Sequence, residues 1–148
     1  MTPRAADTAI RLSLDLPVPA EIAWSLITEN AHIARWWGGY ARLEPRQGGR
    51  FEERWSNGDR EVVTSGEVLA IEPLVRLDIS WADDDWLGTT TVSFAISEAP
   101  GGVRLALVHD GWDVIAPARR KELMANHASG WNGHLRSLAA YAAMLAIT

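Results

Sequence analysis

Hydrophobic and aromatic positions near the C-terminus recur at the spacing of an α-helix. Seven of them follow one another at intervals of four, four, three, four, three and four residues: Leu123, His127, Trp131, His134, Leu138, Tyr141 and Leu145. Pro117 suits a first helical turn, so the pattern predicts a helix from about Pro117 to Leu145. Because two imidazoles, an indole and a phenol stand among the leucines, we expect this stripe to line a partly polar pocket.

The N-terminal part of the chain predicts one strand followed by two short helices. Apolar and polar residues alternate from Ile10 to Leu16, which is the period-two pattern of a half-buried strand. Two prolines end this strand, and the apolar spacing over Glu21–Ile27 indicates a short helix. Asn30 suits the N-cap of a second short helix, which should continue to Trp36 and end at the glycine pair that follows.

Five further segments have the composition and spacing of strands. They cover Arg50–Trp55, Val62–Ile71, Val75–Trp81, Thr89–Ser97 and Val103–His109. Turn signals separate them, above all Asn57–Gly58 and the run Pro100–Gly102. The acidic run Asp83–Asp85 also lies between two strands, and we interpret it as a solvated turn without a function.

The order of the predicted elements defines the fold class. A run of strands closed by a terminal helix is typical of an α+β fold, in which the helix covers one face of an antiparallel sheet. This order excludes a parallel, nucleotide-binding sheet. At 148 residues the chain has the length of one domain, so we expect residues 1–148 to form a single domain.

Composition and charge narrow the classes of partner. The formal net charge is −5, so the chain lacks the basic excess that nucleic-acid and anionic-membrane binding requires. Without cysteine, disulfides and thiol chemistry are excluded. The N-terminal segment has no apolar signal-peptide core, and the apolar run Leu135–Ile147 is too short to span a bilayer. We therefore expect a cytoplasmic protein, either a monomer or a homodimer.

Common metal and cofactor sites have no support in the sequence. His127 and His134 share the helical stripe, but seven residues at about 1.5 Å each place them about 10.5 Å apart along the axis. One metal ion therefore does not bridge them, and no further ligand cluster accompanies them. The chain also lacks the glycine-rich phosphate motifs and the nucleophile elbow of serine hydrolases. We expect neither a metal nor a cofactor.

Tryptophan and glycine usage point to a pocket beside the long helix. The chain has eight tryptophans, whose indole N–H groups favour amphipathic walls over plain core filling. Gly130 and Gly133 flank Trp131 inside the predicted helix, where each costs about 1 kcal/mol relative to alanine. Close approach of the sheet or of a ligand to the helix is one reason for such glycines.

His109 is the polar residue most clearly directed at this helix. By alternation it shares a strand face with Leu105 and Leu107. It is either a polar anchor or acid–base group in a cavity, because imidazole titrates near neutrality, or a core histidine satisfied by structural hydrogen bonds. The sequence leaves both interpretations open.

Other candidate residues also have two interpretations. Trp36 and Trp37 form either an aromatic wall at the cavity entrance or a hydrophobic plug between helices and sheet. Phe51, Glu53 and Trp55 share one strand face, where Glu53 is either a buried acid with a raised pKa or a solvent-facing carboxylate.

Seven short motifs, in this order and spacing, resemble the START-like or SRPBCC superfamily, and within it proteins similar to activator of heat-shock-protein-90 ATPase homologues. They are Trp24, Arg35–Trp37, GGRF at Gly48–Phe51, SGEVLAIEP at Ser65–Pro73, LDISW at Leu77–Trp81, LVHDGW at Leu107–Trp112 and SGWNGHLRSL at Ser129–Leu138. The resemblance implies a helix-grip fold, a curved antiparallel sheet of six or seven strands wrapped around the C-terminal helix with a cavity between them. It supplies no shared catalytic motif.

Three functions follow from this resemblance together with the residues. The first is binding of a small hydrophobic or aromatic molecule in the cavity. The second is a cyclase or aromatase using the same cavity, for which His109, Glu53 and Tyr141 are the suggestive acid–base groups. The third is a co-chaperone-like role. Our candidate ligand-binding residues are Trp36, Trp37, Phe51, Trp55, Trp81, Leu105, Leu107, His109, His127 and Trp131.

Overall fold

The computed structural model describes residues 9–147, in which a seven-stranded sheet is combined with three α-helices. In chain order the elements are β1 Ile10–Leu16, α1 Ala20–Thr28, α2 Asn30–Trp36, β2 Ala41–Leu43, β3 Arg50–Asn57, β4 Arg60–Glu72, β5 Arg76–Asp83, β6 Thr90–Ala99, β7 Gly102–Asp110 and α3 Pro117–Ala146. The predicted α+β class and the long final helix are confirmed. Residues 1–8 and 148, which the single-domain and signal-peptide expectations include, lie outside the described residues.

The sheet is antiparallel throughout and curved, as the helix-grip resemblance implies. Its strand order is β1-β7-β6-β5-β4-β3-β2, so the first strand of the chain closes the sheet beside the last. α3 packs against one face of the sheet and contacts β1, α2 and the 3-10 turn Trp112–Val114 that follows β7. Alternate residues of β7 point to this face, and Leu105, Leu107 and His109 are completely buried there.

The stripe on α3 has the orientation that its spacing predicts. Trp131 and Leu138 are buried, and the other five stripe residues are half-buried against the sheet and the short helices. Among residues 9–147 no helix combines the length and the apolar character needed to cross a bilayer.

The region that joins α2 to the sheet differs from the sequence-based expectation in two ways. Asn30 does not cap α2, because its side-chain amide donates to the Leu43 carbonyl oxygen at 3.0 Å and accepts from the Leu43 N–H at 2.8 Å. The amide thus pairs with the backbone of β2 instead of the helix end. β2 itself has only three residues, too few for an alternation pattern to reveal it.

Candidate ligand-binding cavity

A cavity of about 500 Å³ lies between α3 and the strands β3, β4 and β5. Its volume is within the range of small-molecule sites, which are commonly about 300–1,000 Å³. Trp55, Trp81 and Trp131 form aromatic walls, and Gly130 leaves a gap in the helix side.

Gly66 in β4 explains how the aromatic wall is built. Phe51 on β3 is the register partner of Gly66, and the register between β4 and β5 brings Trp81 to the other side. The Phe51 and Trp81 rings stack with centroids 5.3 Å apart and an interplanar angle of 20°. A Cβ at this position would collide with the Ser80 carbonyl oxygen, so only glycine fits here. Trp131 continues the wall from α3, 5.2 Å from Trp81.

A row of polar residues crosses the three strands beneath the aromatic wall. Glu53 on β3 pairs with Thr64 on β4, which in turn pairs with Asp83 on β5, and all three line the cavity. The Thr64 hydroxyl donates to an Asp83 carboxylate oxygen at 2.6 Å and accepts from the Trp55 indole N–H at 2.9 Å. The row therefore places two carboxyl groups in a largely aromatic cavity.

Of the two interpretations of Glu53, the structure favours the acid with a raised pKa over the solvent-facing carboxylate. Its side chain is half-buried at the cavity wall. Burial raises the pKa of its carboxyl group from 4.5 to about 7, the nearby Trp37 indole opposes this shift, and the Asp83 charge reinforces it. The Trp37 indole N–H falls short of hydrogen-bond geometry, so it is buried without a regular acceptor. Glu53 accordingly titrates near neutral pH.

Asp83 requires a correction, because it is not part of a solvated turn. It is the last residue of β5 and only 7% exposed, whereas Asp84 and Asp85 are exposed beyond it. Burial raises the pKa of Asp83, and the Thr64 hydroxyl and His127 oppose the shift. The sequence did not distinguish buried Asp83 from its exposed neighbours, because it did not show at which residue β5 ends.

The helix side of the cavity carries both stripe histidines, of which His127 has the hydrogen bonds of a neutral imidazole. His127 donates from Nδ1 to the Leu123 carbonyl oxygen at 2.9 Å and accepts the Trp81 indole N–H at Nε2 over 3.3 Å. Burial lowers the pKa of His127 and of His134. His134 makes no hydrogen bond within residues 9–147, and its ring lies 5.9 Å from that of Trp131. Asn57 and Asn126 complete the polar lining, although the sequence did not identify either as a cavity residue.

His109 is the satisfied core histidine and has no free ring nitrogen to offer. It accepts the Trp131 indole N–H at Nδ1 over 3.0 Å, which leaves the proton on Nε2. That N–H donates to the Thr90 hydroxyl at 2.7 Å, and the hydroxyl donates to the Trp81 carbonyl oxygen. Burial and the adjacent His127 lower the pKa of His109 to about 2. His109 is therefore neutral and held by structural hydrogen bonds, which favours the second of the two interpretations considered for it.

Four of the ten candidate residues line the cavity and six do not. Trp55, Trp81, His127 and Trp131 form part of its surface. The others are buried behind the wall or elsewhere in the core: Trp36, Trp37, Phe51, Leu105, Leu107 and His109. A pattern of alternation assigns residues to a face of the sheet, but it does not distinguish the part of that face covered by packing from the part left open.

Two tryptophans expected at the entrance belong to the core. The Trp36 indole N–H donates to the Leu26 carbonyl oxygen at 2.8 Å and so ties α2 to α1. The Trp37 ring packs on Phe51 and Trp131 with centroids 5.1 Å and 5.4 Å away. They are the hydrophobic plug rather than the entrance wall. Tyr141 is also remote from the cavity lining, because its hydroxyl bonds to His32 on α2 at 2.7 Å.

An antiparallel sheet gripping a long helix, with a cavity between them, defines a helix-grip protein. The family model described as activator of Hsp90 ATPase homolog 1-like protein matches residues 17–143. The chain therefore belongs to this family, within the START-like or SRPBCC superfamily. No functionally curated protein matches the chain.

Solved structures show the same fold over almost the whole chain. A protein from Rhodobacter sphaeroides is 25% identical, with a TM-score of 0.75 over 93% of this chain and 94% of that one. CalU16 from Micromonospora echinospora is 24% identical, with a TM-score of 0.70 over 90% of this chain and 75% of its own. DynU16, from the dynemicin biosynthetic locus, is 20% identical, with a TM-score of 0.73 over 91% of this chain and 47% of its own.

Proposed function

We propose that this protein binds a small apolar or aromatic molecule in the cavity between α3 and strands β3 to β5. The observation that carries the proposal is an aromatic-walled cavity of about 500 Å³ between the sheet and the long helix. Apolar walls with a few polar groups are typical of small-molecule sites. Membership of a family with the helix-grip fold supports the same function.

Gly130 gives a way to test the cavity without damaging the core. A Cβ atom added there meets no atom of another element within 4 Å, and Gly130 lines the cavity. Gly133 on the same helix is equally unobstructed but lies outside the lining. Leucine at Gly130 should therefore occupy ligand space, and leucine at Gly133 should not.

The experiment titrates N-phenyl-1-naphthylamine, a neutral apolar dye, into the protein and follows its fluorescence. We expect saturable binding that is weakened at least ten-fold in Gly130→Leu and unchanged in Gly133→Leu. Native mass spectrometry of gently purified protein should show whether a ligand travels with it. If a broad library of apolar compounds shows no saturable binding, or if both leucine variants bind like wild type, the cavity is not a binding site.

A second candidate function is a cyclase- or aromatase-type enzyme, which the Glu53 pKa of about 7 favours. A carboxyl group that titrates near neutrality suits general acid–base catalysis. The fold of this chain is similar to that of DynU16, a protein from a biosynthetic locus, and this similarity supports the candidate at the level of fold. Turnover that Glu53→Gln abolishes while dye binding persists would favour the enzyme over the carrier.

The family description also names activation of a chaperone ATPase, and we rank this role last. The described residues contain no second domain-sized unit with which to grip a large chaperone. A stoichiometric amount of the protein should leave the Hsp90 ATPase rate unchanged, and a stimulated rate would reverse our ranking.

A further inference from the structure

We propose that the cavity selects an aromatic molecule carrying a protonated amine, whose ammonium group lies beside Glu53 and Asp83. This inference rests on the proposed function, because it names the ligand class of the same cavity.

The charge on the cavity lining is one-sided. Two carboxyl groups, Glu53 and Asp83, face the cavity, and its lining contains neither lysine nor arginine. The arginines closest to the Asp83 end are engaged outside it, since Arg60 pairs with Asp84 and Arg119 pairs with Asp85. A buried carboxylate is costly without a cation or several donors. A ligand can supply what the protein does not.

Both carboxyl groups retain unused acceptor capacity. Asp83 accepts one hydrogen bond, from Thr64, and no other described side chain donates to it. Glu53 accepts no regular hydrogen bond within residues 9–147, and its one polar neighbour is the Trp37 indole. Two strand spacings of about 4.8 Å place the Cα atoms of the two acids about 10 Å apart. An ammonium group has three N–H donors, which suits it to such a paired site.

The rings beside these acids favour a cationic and aromatic ligand. Trp55, Trp81 and Trp131 line the same cavity as the two carboxyl groups. A ring system can pack against these indoles, and an ammonium group gains further from the indole faces through cation–π interaction. The carboxyl groups can therefore pair with the ammonium group, and the indoles can pack against the ring system of the same molecule.

No other group in the cavity competes for the cation or attracts an anion. Opposite Glu53, β2 and β4 present Ala41 and Thr64, β5 presents Asp83, and α3 presents His127 and His134. Burial lowers the pKa of both histidines, although the Asp83 charge opposes this shift at His127. His127 also donates from Nδ1 and accepts at Nε2, which is the hydrogen-bonding pattern of a neutral imidazole. A carboxylate or phosphate ligand would lie beside two acids without any compensating positive charge.

The test compares three probes of matched shape by isothermal titration calorimetry at pH 8: 2-naphthylmethylamine, 2-naphthylmethanol and 2-naphthoate. We expect the amine to bind at least ten-fold more tightly than the alcohol, and the carboxylate not to bind measurably. Glu53→Gln should reduce the preference for the amine over the alcohol to less than three-fold. Glu52→Gln is the matched control, because Glu52 lies on the opposite face of β3 and pairs with Arg50 and Arg54.

The pH dependence gives a second, independent readout. The amine stays protonated between pH 6 and 8, whereas Glu53 loses its proton around pH 7. Amine affinity should therefore rise about ten-fold from pH 6 to pH 8, and this rise should be absent in Glu53→Gln. Alcohol affinity should stay level over the same range.

The outcomes separate this inference from the proposed function. Equal affinity for amine and alcohol, or tighter binding of the carboxylate, overturns the amine inference and leaves the binding function intact. A preference for the amine that survives in Glu53→Gln also overturns it. If none of the three probes nor the neutral dye binds, the proposed function and this inference fail together.

Discussion

The two halves of the sheet beneath α3 differ in how completely their inward-facing polar side chains are hydrogen-bonded. On the β6–β7 half, His109 is completely buried, and both of its ring nitrogens are engaged by Trp131 and Thr90. On the β3–β5 half, Glu53 faces a cavity of about 500 Å³ without a regular hydrogen bond among the described residues. One helix covers both halves, and Trp131 contributes to each.

The difference separates structural from functional polar residues. A polar network with every partner in place lowers the free energy of the folded state and fixes one arrangement. A buried carboxyl group without partners raises that free energy, so its retention requires another reason. In this protein Glu53 accepts no regular hydrogen bond among the described residues, Asp83 accepts only one, and both face the cavity, which points to function on that side.

The largest expected effect comes from removing the imidazole on the paired side. His109→Leu leaves the Trp131 indole N–H buried without an acceptor, and it should lower the free energy of unfolding by about 2–4 kcal/mol. His134→Leu on the cavity side removes no hydrogen bond, so its effect should stay below about 1 kcal/mol. Urea unfolding of both variants measures the contrast, and equal effects would remove the distinction between the two halves.

The next effect is a pH-dependent gain of stability on the cavity side. Glu53 has a folded-state pKa of about 7 against 4.5, so the folded protein binds more protons between these values and loses stability as pH rises through them. Glu53→Gln removes this loss. The variant should match wild type near pH 4 and exceed it by about 2–3 kcal/mol at pH 8. A difference that is independent of pH would show that Glu53 is not the buried acid described here.

The smallest effect concerns the two helix glycines. Neither Gly130 nor Gly133 has a protein atom within 4 Å of an added Cβ, so the sheet does not approach the helix closely at either position. Alanine at each should therefore raise the free energy of unfolding by about 1 kcal/mol through helix propensity alone. Thermal unfolding of the ligand-free variants checks this. Destabilisation by Gly130→Ala would mean that the helix is closely covered there.

The elements of this fold were largely predictable because they depend on local periodicity. The alternation from Ile10 to Leu16 and the stripe on α3 are repeated over many residues, so burial of one face leaves a clear pattern. β2 was not predicted, because three residues are too few to show the alternation of a strand. Asn30 was misassigned because its amide partner, Leu43, lies thirteen residues away.

The candidate site was predictable only in part, for a related reason. Trp131 and His127 were identified because the helical stripe must face the sheet. Asp83 was missed, since whether a carboxylate at the end of a strand is buried depends on how the neighbouring strands and the helix cover it. Trp36 and Trp37 were placed at an entrance, although α1 and the aromatic cluster enclose them.

The amino-acid sequence was enough to predict the α+β class, the order of every element except β2, the facing of Trp131 and His109, and the family resemblance. Each of these follows from residue spacing or from motifs that are contiguous in the chain. The packed structure was needed to establish that both ring nitrogens of His109 are hydrogen-bonded and that Glu53 and Asp83 face a cavity. Burial and hydrogen bonding of a side chain depend on residues from several strands and a helix, and their convergence is a property of three-dimensional packing.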